Sequence, residues 1–397
     1  MHIDVNNAFL SWTAVKLLHE GYKIDIRKIE SVIGGDESLR HGIVLAKSPV
    51  AKSKGVKTAE PLISARRKCN DLKVYKPDFR WYTFLSNKMF SLIRKYTDEI
   101  EILSIDECFL DFTSIQSKYK DPIKFAYHLK NQIYKTYGFT VNIGIANNKL
   151  CAKMASDFKK PNRVHTLFEN EVEEKMYPLD VSDLFGVGKQ TSAKLHSLNI
   201  NTIGELANAD INFLVKYFKN QASVLIDKAK GIDNSPVVKE ARERKGISNS
   251  TTYSYNLTNL SDINVKLHAL VENVCMELRE KKKYCKVVGV TLKNKFFVSK
   301  SHQKKLKNAT NNTDDIYNVC KELVKELWDS EPIRLIRVSL NNLTDVNNHQ
   351  LSLFEDLSKK ESNDELDKVI DKLKNQYGSN IINKASLKDA NIRKKFH

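Results

Sequence analysis

Three carboxylates in this 397-residue chain stand where carboxylates are costly. Asp4 interrupts the apolar opening of the chain, and Asp106-Glu107 interrupts the apolar run at residues 105–110. A carboxylate within an apolar strand carries a desolvation cost that something must offset. Acids at converging strand ends also repel: two unit charges about 4 Å apart cost about 4 kcal/mol at an effective dielectric near 20. A divalent cation turns that repulsion into binding, and hard oxygen donors favour magnesium. Two such ions, roughly 3.5–4 Å apart, can activate an attacking oxygen and stabilise a leaving one, as phosphoryl or nucleotidyl transfer requires. A plainer reading stands beside this one. Asp106-Glu107 is a good turn pair, and each acid could simply cap a turn.

The elements around these acids have to bring them together. Residues 1–5 read as a strand, and the apolar spacing of residues 9–18 reads as a helix. Residues 101–112 read as two short strands joined at Asp106-Glu107, residues 139–146 as a strong strand, and residues 148–158 as a helix ending before Pro161. That order predicts an α+β fold, a sheet layered with helices. Residues 167–232 read as all-helical. Residues 233–246 are polar and charged and read as a linker. Residues 247–345 again mix strands and helices, and from 346 the chain is polar and rich in Asn.

The formal net charge is +17, which points to a polyanionic partner, either nucleic acid or an anionic membrane surface. A lysine-rich solvated surface is the bland alternative. The six cysteines form no CxxC pair and have no histidines at zinc-ligand spacing, so they read as reduced thiols. The first residues lack the basic and apolar regions of a secretion signal, and no stretch approaches a membrane span of about 20 apolar residues.

Residues 2–12 (HIDVNNAFLSW) resemble the first motif of the Y-family DNA polymerases, and residues 103–111 (LSIDECFLD) closely resemble that family's acidic motif. Residues 144–149 (GIANNK) and 152–157 (AKMASD), running into Lys160-Pro161-Asn162, are similar to a third. The resemblance covers roughly residues 1–345. It implies a right-hand polymerase with a palm (1–19 and 74–166), fingers (20–73), a helical thumb (167–232), the linker at 233–246, and an α/β little finger (247–345). It implies template-directed, low-fidelity lesion bypass in DNA repair and the SOS response, with two magnesium ions held by Asp4, Asp106, Glu107 and the Val5 carbonyl. Glu107 would sit nearest the ion that activates the primer 3′-hydroxyl. Phe9 falls at the steric-gate position, where an aromatic ring would clash with a ribose 2′-OH.

The same resemblance makes Lys160 a triphosphate ligand. Residues 46–56 (AKSPVAKSKGV) depart from the family's fingers segment, with Pro49 for the usual Tyr and Lys52 for the usual Arg. A lysine supplies a point charge without the bidentate fork, so Lys47 or Ser48 could share the phosphate grip. The departure resembles the UmuC-like bacterial branch more than the DNA polymerase IV branch. For each lysine a solvated side chain is the plain alternative.

Residues 184–189 (LFGVGK) resemble a helix-hairpin-helix, in which Gly186, Gly188 and Lys189 would let backbone N–H groups approach a phosphate. Residues 279–307 carry eleven Lys and Arg against one Glu. Alternation predicts Val288, Val290, Leu292, Phe296 and Val298 on one face, with Thr291, Lys293 and Lys295 on the other, a basic surface for DNA phosphates. Gln350, Leu351, Leu353 and Phe354 are similar to the bacterial sliding-clamp peptide Q-L-x-L-F, set in a polar tail.

The expected partners are primer-template DNA, deoxynucleoside triphosphates and a sliding clamp, with no membrane. The expected state is a monomer in the cytoplasm, associated with the nucleoid. Two other readings remain open on sequence. One is a catalytically inactive clamp- and DNA-binding adaptor of the same family. The other is a palm-type transferase such as a cyclase, against which the clamp peptide and the basic third domain argue.

Overall fold

A computed structural model describes residues 1–37, 40, 42–240, 243–345, 357–378 and 381–382. The chain forms two compact units, residues 1–35 with 43–241 and residues 36–42 with 242–397.

In the first unit, β1 (His2–Val5), β5 (Ile100–Ile102), β6 (Glu107–Leu110), β7 (Val141–Ile145) and β8 (Val164–Thr166) form one sheet in the order β5-β6-β1-β7-β8. Side chains alternate along β1. Ile3 and Val5 join a core with residues of α1 (Ala8–His19), α4 (Phe79–Arg94) and α6 (Pro122–Tyr137), among them Trp12, Tyr82, Met89 and Leu129. His2 and Asp4 therefore point to the opposite face, on which α7 (Lys149–Asp157) lies. Gly144 sets how closely α7 approaches. A Cβ there would come within 2.0 Å of the Ala152 carbonyl and 2.6 Å of the Ser156 nitrogen.

A smaller sheet of β2 (Ser31–Gly34), β3 (Val44–Lys47) and β4 (Lys73–Tyr75), in the order β3-β2-β4, packs with α2 (Pro49–Ser53) and α3 (Leu62–Lys68) around Val32, Val44, Ala51 and Leu62. The short helices α5 (Gln116–Tyr119) and α8 (Val172–Lys175) serve as connectors. Beyond α8, α9 (Lys189–Ser197), α10 (Ile203–Ala207), α11 (Ile211–Phe218) and α12 (Gln221–Ala229) share a core with α7 through Leu150, Met154, Leu195 and Ile226.

The expected linker is not loose along its first half. Asn148 donates to the Gly231 carbonyl at 2.7 Å, and Asp233 accepts from the Leu150 nitrogen. Glu101 binds both Lys149 (2.6 Å) and the Val238 nitrogen (2.9 Å), and Lys239 pairs with Glu99. A polar, charged composition signals exposure, but Lys239 and the Val238 nitrogen find carboxylates at and just before β5, and Asp233 finds a backbone N–H on α7.

In the second unit, β9 (Gly246–Leu257), β10 (Tyr284–Asn294), β11 (Ser299–Thr310) and β12 (Ile333–Thr344) form an antiparallel sheet in the order β11-β10-β12-β9. Val288, Val290, Leu292, Ile336 and Val338 share a core with residues of α13 (Leu260–Glu280) and α14 (Thr313–Leu327). Helix α15 (Leu357–Tyr377) is fastened by Arg279, which meets Asp371 at 2.6 Å and Asp367 at 3.0 Å, and by Lys374 with Glu272. Among the described residues no helix is long and apolar enough to cross a membrane. The Gln350, Leu351, Leu353 and Phe354 peptide lies outside the described residues.

Candidate active site

The register of β1 against β6 places Asp4 directly opposite Glu107. The Val5 nitrogen donates to the Asp106 carbonyl at 3.0 Å, so Asp106, in the turn just before β6, is tied to the same strand end. The Ser104 hydroxyl donates to Asp106 at 2.6 Å. Asp4 and the Asp106-Glu107 pair, far apart in sequence, thus share one end of the sheet.

Their partners come from α7 and the turn after it. Lys160 contacts Asp4 and reaches Asp157 at 2.8 Å. Lys153 meets Glu107 at 2.5 Å. Burial pushes the Asp4 carboxyl above its ordinary range, and Lys160 only partly opposes this. Glu107 is held down at about 2, by the His2 ring first and Lys153 next, against the opposing effect of its burial. Burial alone would lower the pKa of Lys160, but Asp4 and Asp157 hold it above its usual value.

His2 and Lys153 are functional neighbours that the sequence reading did not single out. His2 is completely buried, and its Nδ1 is 2.8 Å from the Ser156 hydroxyl. Its Nε2 lies 3.3 Å from Glu107. Burial, first of all, keeps the ring neutral by lowering its pKa. The alternation of β1 was the available signal: His2 shares a face with Asp4, two residues away.

Among the described residues, no three His, Cys, Asp or Glu side chains converge closely enough to enclose a metal ion in this conformation. Asp4 and Glu107 are turned toward two ammonium groups instead, and Asp106 toward the Ser104 hydroxyl. The donor set nonetheless suits a hard divalent cation, since the acids carry only oxygen donors and stand on adjoining strand ends.

Phe9 is the second residue of α1 and is half-buried, stacked on Tyr82 with ring centroids 4.8 Å apart and edge-on to Phe79 at 5.9 Å. Lys52 is exposed on α2. Lys47 donates to the Thr58 hydroxyl at 2.8 Å, and burial, then the Lys52 charge, lowers its pKa. Ser48 is a correction to the expected phosphate grip. It is fully buried, and its hydroxyl caps α2 by accepting from the Ala51 nitrogen at 3.0 Å and the Ser31 nitrogen at 3.3 Å. A hydroxyl so placed has no path to a nucleotide.

Gly186 has φ of +95°, a conformation that favours glycine, and Gly188 is the exposed N-cap residue of α9, with Lys189 as its first residue.

The basic run in the second unit divides differently from the alternation expected above. Val288, Val290 and Leu292 are buried, but β10 ends at Asn294, so Phe296 and Val298 leave the strand and stand exposed in the hairpin turn, not on its apolar face. In β11, Lys300, His302 and Lys304 lie opposite Leu292, Val290 and Val288, on the helix side. There they pair with Asp329, Glu326 and Glu322 at 2.6–2.7 Å. Lys293 and Thr291 lie on the open face, opposite Leu335 and Arg337 of β12. Arg337, which the sequence reading passed over, is exposed there and donates to Ser248 at 3.0 Å.

Comparison with known proteins gives the family. The impB/mucB/samB family model matches residues 3–157, its C-terminal domain matches 244–353, and the IMS family HHH motif matches 169–200. A chimera of the Y-family DNA polymerases Dbh and Dpo4 superposes with a TM-score of 0.75 at 25% identity, over 86% of this chain and 98% of that one. DinB from Sulfolobus solfataricus superposes at 0.56, with the same coverage of each chain and 24% identity, a likeness of fold. The chain belongs to the Y-family DNA polymerases, metal-dependent DNA-directed enzymes of translesion synthesis. Its relatives carry the name DNA polymerase IV. It is 45% identical to that of Clostridium acetobutylicum over 97% of both chains, and 35% identical to that of Oceanobacillus iheyensis over 96% of this chain and 90% of that one. The departure at Pro49 and Lys52 thus occurs in a chain whose overall likeness is to DNA polymerase IV, and the inactive-adaptor reading is not favoured.

Proposed function

We propose that the chain adds deoxynucleotides to a primer 3′ end on a DNA template with two magnesium ions, held by Asp4, Asp106 and Glu107 with the Val5 carbonyl. The observation that carries this reading is the register that sets Asp4 opposite Glu107, with Asp106 tied to Val5. The bound ions would supply the charge that activates the attacking hydroxyl and stabilises the leaving oxygen. The chain's own residues do the rest. Lys153 pairs with Glu107 and Lys160 with Asp4 in the absence of metal, and Lys160 is then available to the triphosphate, with Lys52 and Lys47 on the fingers side. Phe9, braced by Tyr82, stands as the steric gate.

The palm is residues 1–19 and 74–166, the fingers 20–73, the thumb 167–232, the linker 233–246 and the little finger 247–345 on this reading. Gly186, Gly188 and Lys189 contact the DNA backbone, as do Lys293 and Arg337 of the four-stranded sheet and Lys295 in the turn just beyond β10. Residues 350–354 bind a sliding clamp, and the polymerase is a cytoplasmic, nucleoid-associated monomer. Primer extension with purified protein, magnesium and all four deoxynucleotides tests the central claim. Extension that depends on magnesium is expected. Firm primer-template binding without any extension would return the adaptor reading.

A further inference from the structure

The turn between β10 and β11 displays three large apolar side chains to solvent. Phe296, Phe297 and Val298 are 66%, 63% and 54% exposed. The display is built rather than frayed. The Asn294 side-chain oxygen accepts from the nitrogens of Phe296 and Val298, both at 3.0 Å, and the Asn294 nitrogen donates to the Val298 carbonyl. Phe297 has φ of +67°, a left-handed conformation that is unfavourable for a bulky side chain. Glycine or asparagine at that position would relieve the strain, yet an aromatic residue is held there, facing water.

Cations cover the rings. Lys295 Nζ lies 4.8 Å from the centre of Phe296, and the Arg334 guanidinium lies 4.9 Å from that of Phe297. Lys293 precedes them on the open face of the sheet. The nearby acid Asp329 does not cancel this charge, because it is engaged by Lys300. An apolar protein partner would be matched by apolar surface alone. Aromatic faces interleaved with cations instead match a chain that alternates flat bases with phosphates.

We propose that Phe296 and Phe297 form a stacking platform for unpaired bases of single-stranded DNA, with Lys295 and Arg334 on the adjoining phosphates. The proposal rests on the polymerase reading, since a copied template presents such a strand. It goes beyond that reading by giving the sheet domain a contact that reads strandedness, where backbone lysines would not.

The test uses the full chain and the variant Phe296→Ala/Phe297→Gly, in which glycine keeps the turn's positive φ. Binding is measured on a primer-template with a 5′ overhang carrying 2-aminopurine, and on the blunt duplex. The variant should bind the overhang substrate about tenfold more weakly and lose the 2-aminopurine quenching, with the blunt duplex unchanged. An overhang of abasic sites should reproduce the loss in the wild type. Equal weakening on both substrates, or none on either, would overturn the proposal. So would intact DNA binding combined with lost binding to a purified sliding clamp. Magnesium-dependent extension by the wild type is scored on the same substrate. Extension without an overhang effect sinks the platform alone, whereas quenching without extension sinks the polymerase reading and leaves the platform standing.

Discussion

Two sheets in this molecule carry charge in opposite ways. At the end of the β5-β6-β1-β7-β8 sheet, two of the three carboxylates, Asp4 and Glu107, meet lysines delivered by α7 and the turn after it. At the β11 edge of the second sheet, Lys300, His302 and Lys304 meet three acids on and just beyond α14. The first cluster is largely screened from water, so any imbalance of charge is costly there and a mobile cation has much to gain. The second is half-exposed, where an ion pair contributes little and its chief effect is to remove those lysines from the surface charge. Chemistry belongs at the first kind of cluster. The second trims a surface.

The comparison breaks most severely if the acids prove dispensable. Asp106→Ala with Glu107→Ala should lower primer extension by roughly 10³-fold or more, while primer-template binding persists. Extension near the wild-type rate would remove the metal site. A smaller loss, on the order of 10²-fold in the preference for deoxyribonucleotides over ribonucleotides, is expected for Phe9→Ala, because a clash rather than a bond is removed. The ratio is the informative quantity. Phe9 also stacks on Tyr82, so stability and absolute rate will fall as well. Unchanged sugar discrimination would leave Phe9 as a core aromatic only.

Within the acidic cluster the two facing carboxylates should respond oppositely to neutralisation in the metal-free protein. Glu107 has a pKa of about 2 against an ordinary 4.5, so its stabilising contribution is present above 4.5 and is lost as the pH falls through about 2. Glu107→Gln should therefore lower the melting temperature at neutral pH by a few degrees and flatten the loss of stability in acid. Asp4 is shifted up, so its ionised form opposes folding at neutral pH, and Asp4→Asn should raise the melting temperature. Magnesium should then stabilise the wild type and leave Asp4→Asn unaffected, since a ligand stabilises only the state that binds it. Scanning calorimetry with and without magnesium checks both signs. A fall in melting temperature for Asp4→Asn would mean that its pairing with Lys160 outweighs burial.

How much of this could be read in the sequence follows from the same contrast. Asp4 and Asp106-Glu107 were legible because a carboxylate inside an apolar strand is an anomaly at the level of single residues. His2 and Lys153 were not, because their roles depend on the β1 register and on how closely α7 settles over Gly144. Ser48 looked available to a phosphate for want of any local sign that Ala51 and Ser31 would claim its hydroxyl. Strand periodicity locates β10 but carries no sign that it ends at Asn294, so alternation places Phe296 and Val298 on a face that no longer exists at their position. The lysine run was counted as one field, although the acids that neutralise part of it are distant in sequence.

The division of the lysine run between two faces yields the smallest and sharpest prediction. If the open face of the second sheet meets DNA, each phosphate that a substitution leaves without its cation should reduce the slope of log K against log salt by about 0.9. Lys293→Ala should show this reduction, because the side chain lies on the face shared with Arg337. Lys304→Ala should leave the slope unchanged, because Glu322 already holds that ammonium at 2.6 Å on the helix side. Both substitutions remove one positive charge from the same run, so a diffuse electrostatic attraction would affect them alike. Binding titrations across a salt series separate the two cases. Equal slopes for the two variants would mean that the domain attracts DNA by net charge, and the division of the sheet into a paired face and a DNA-facing one would carry no functional weight.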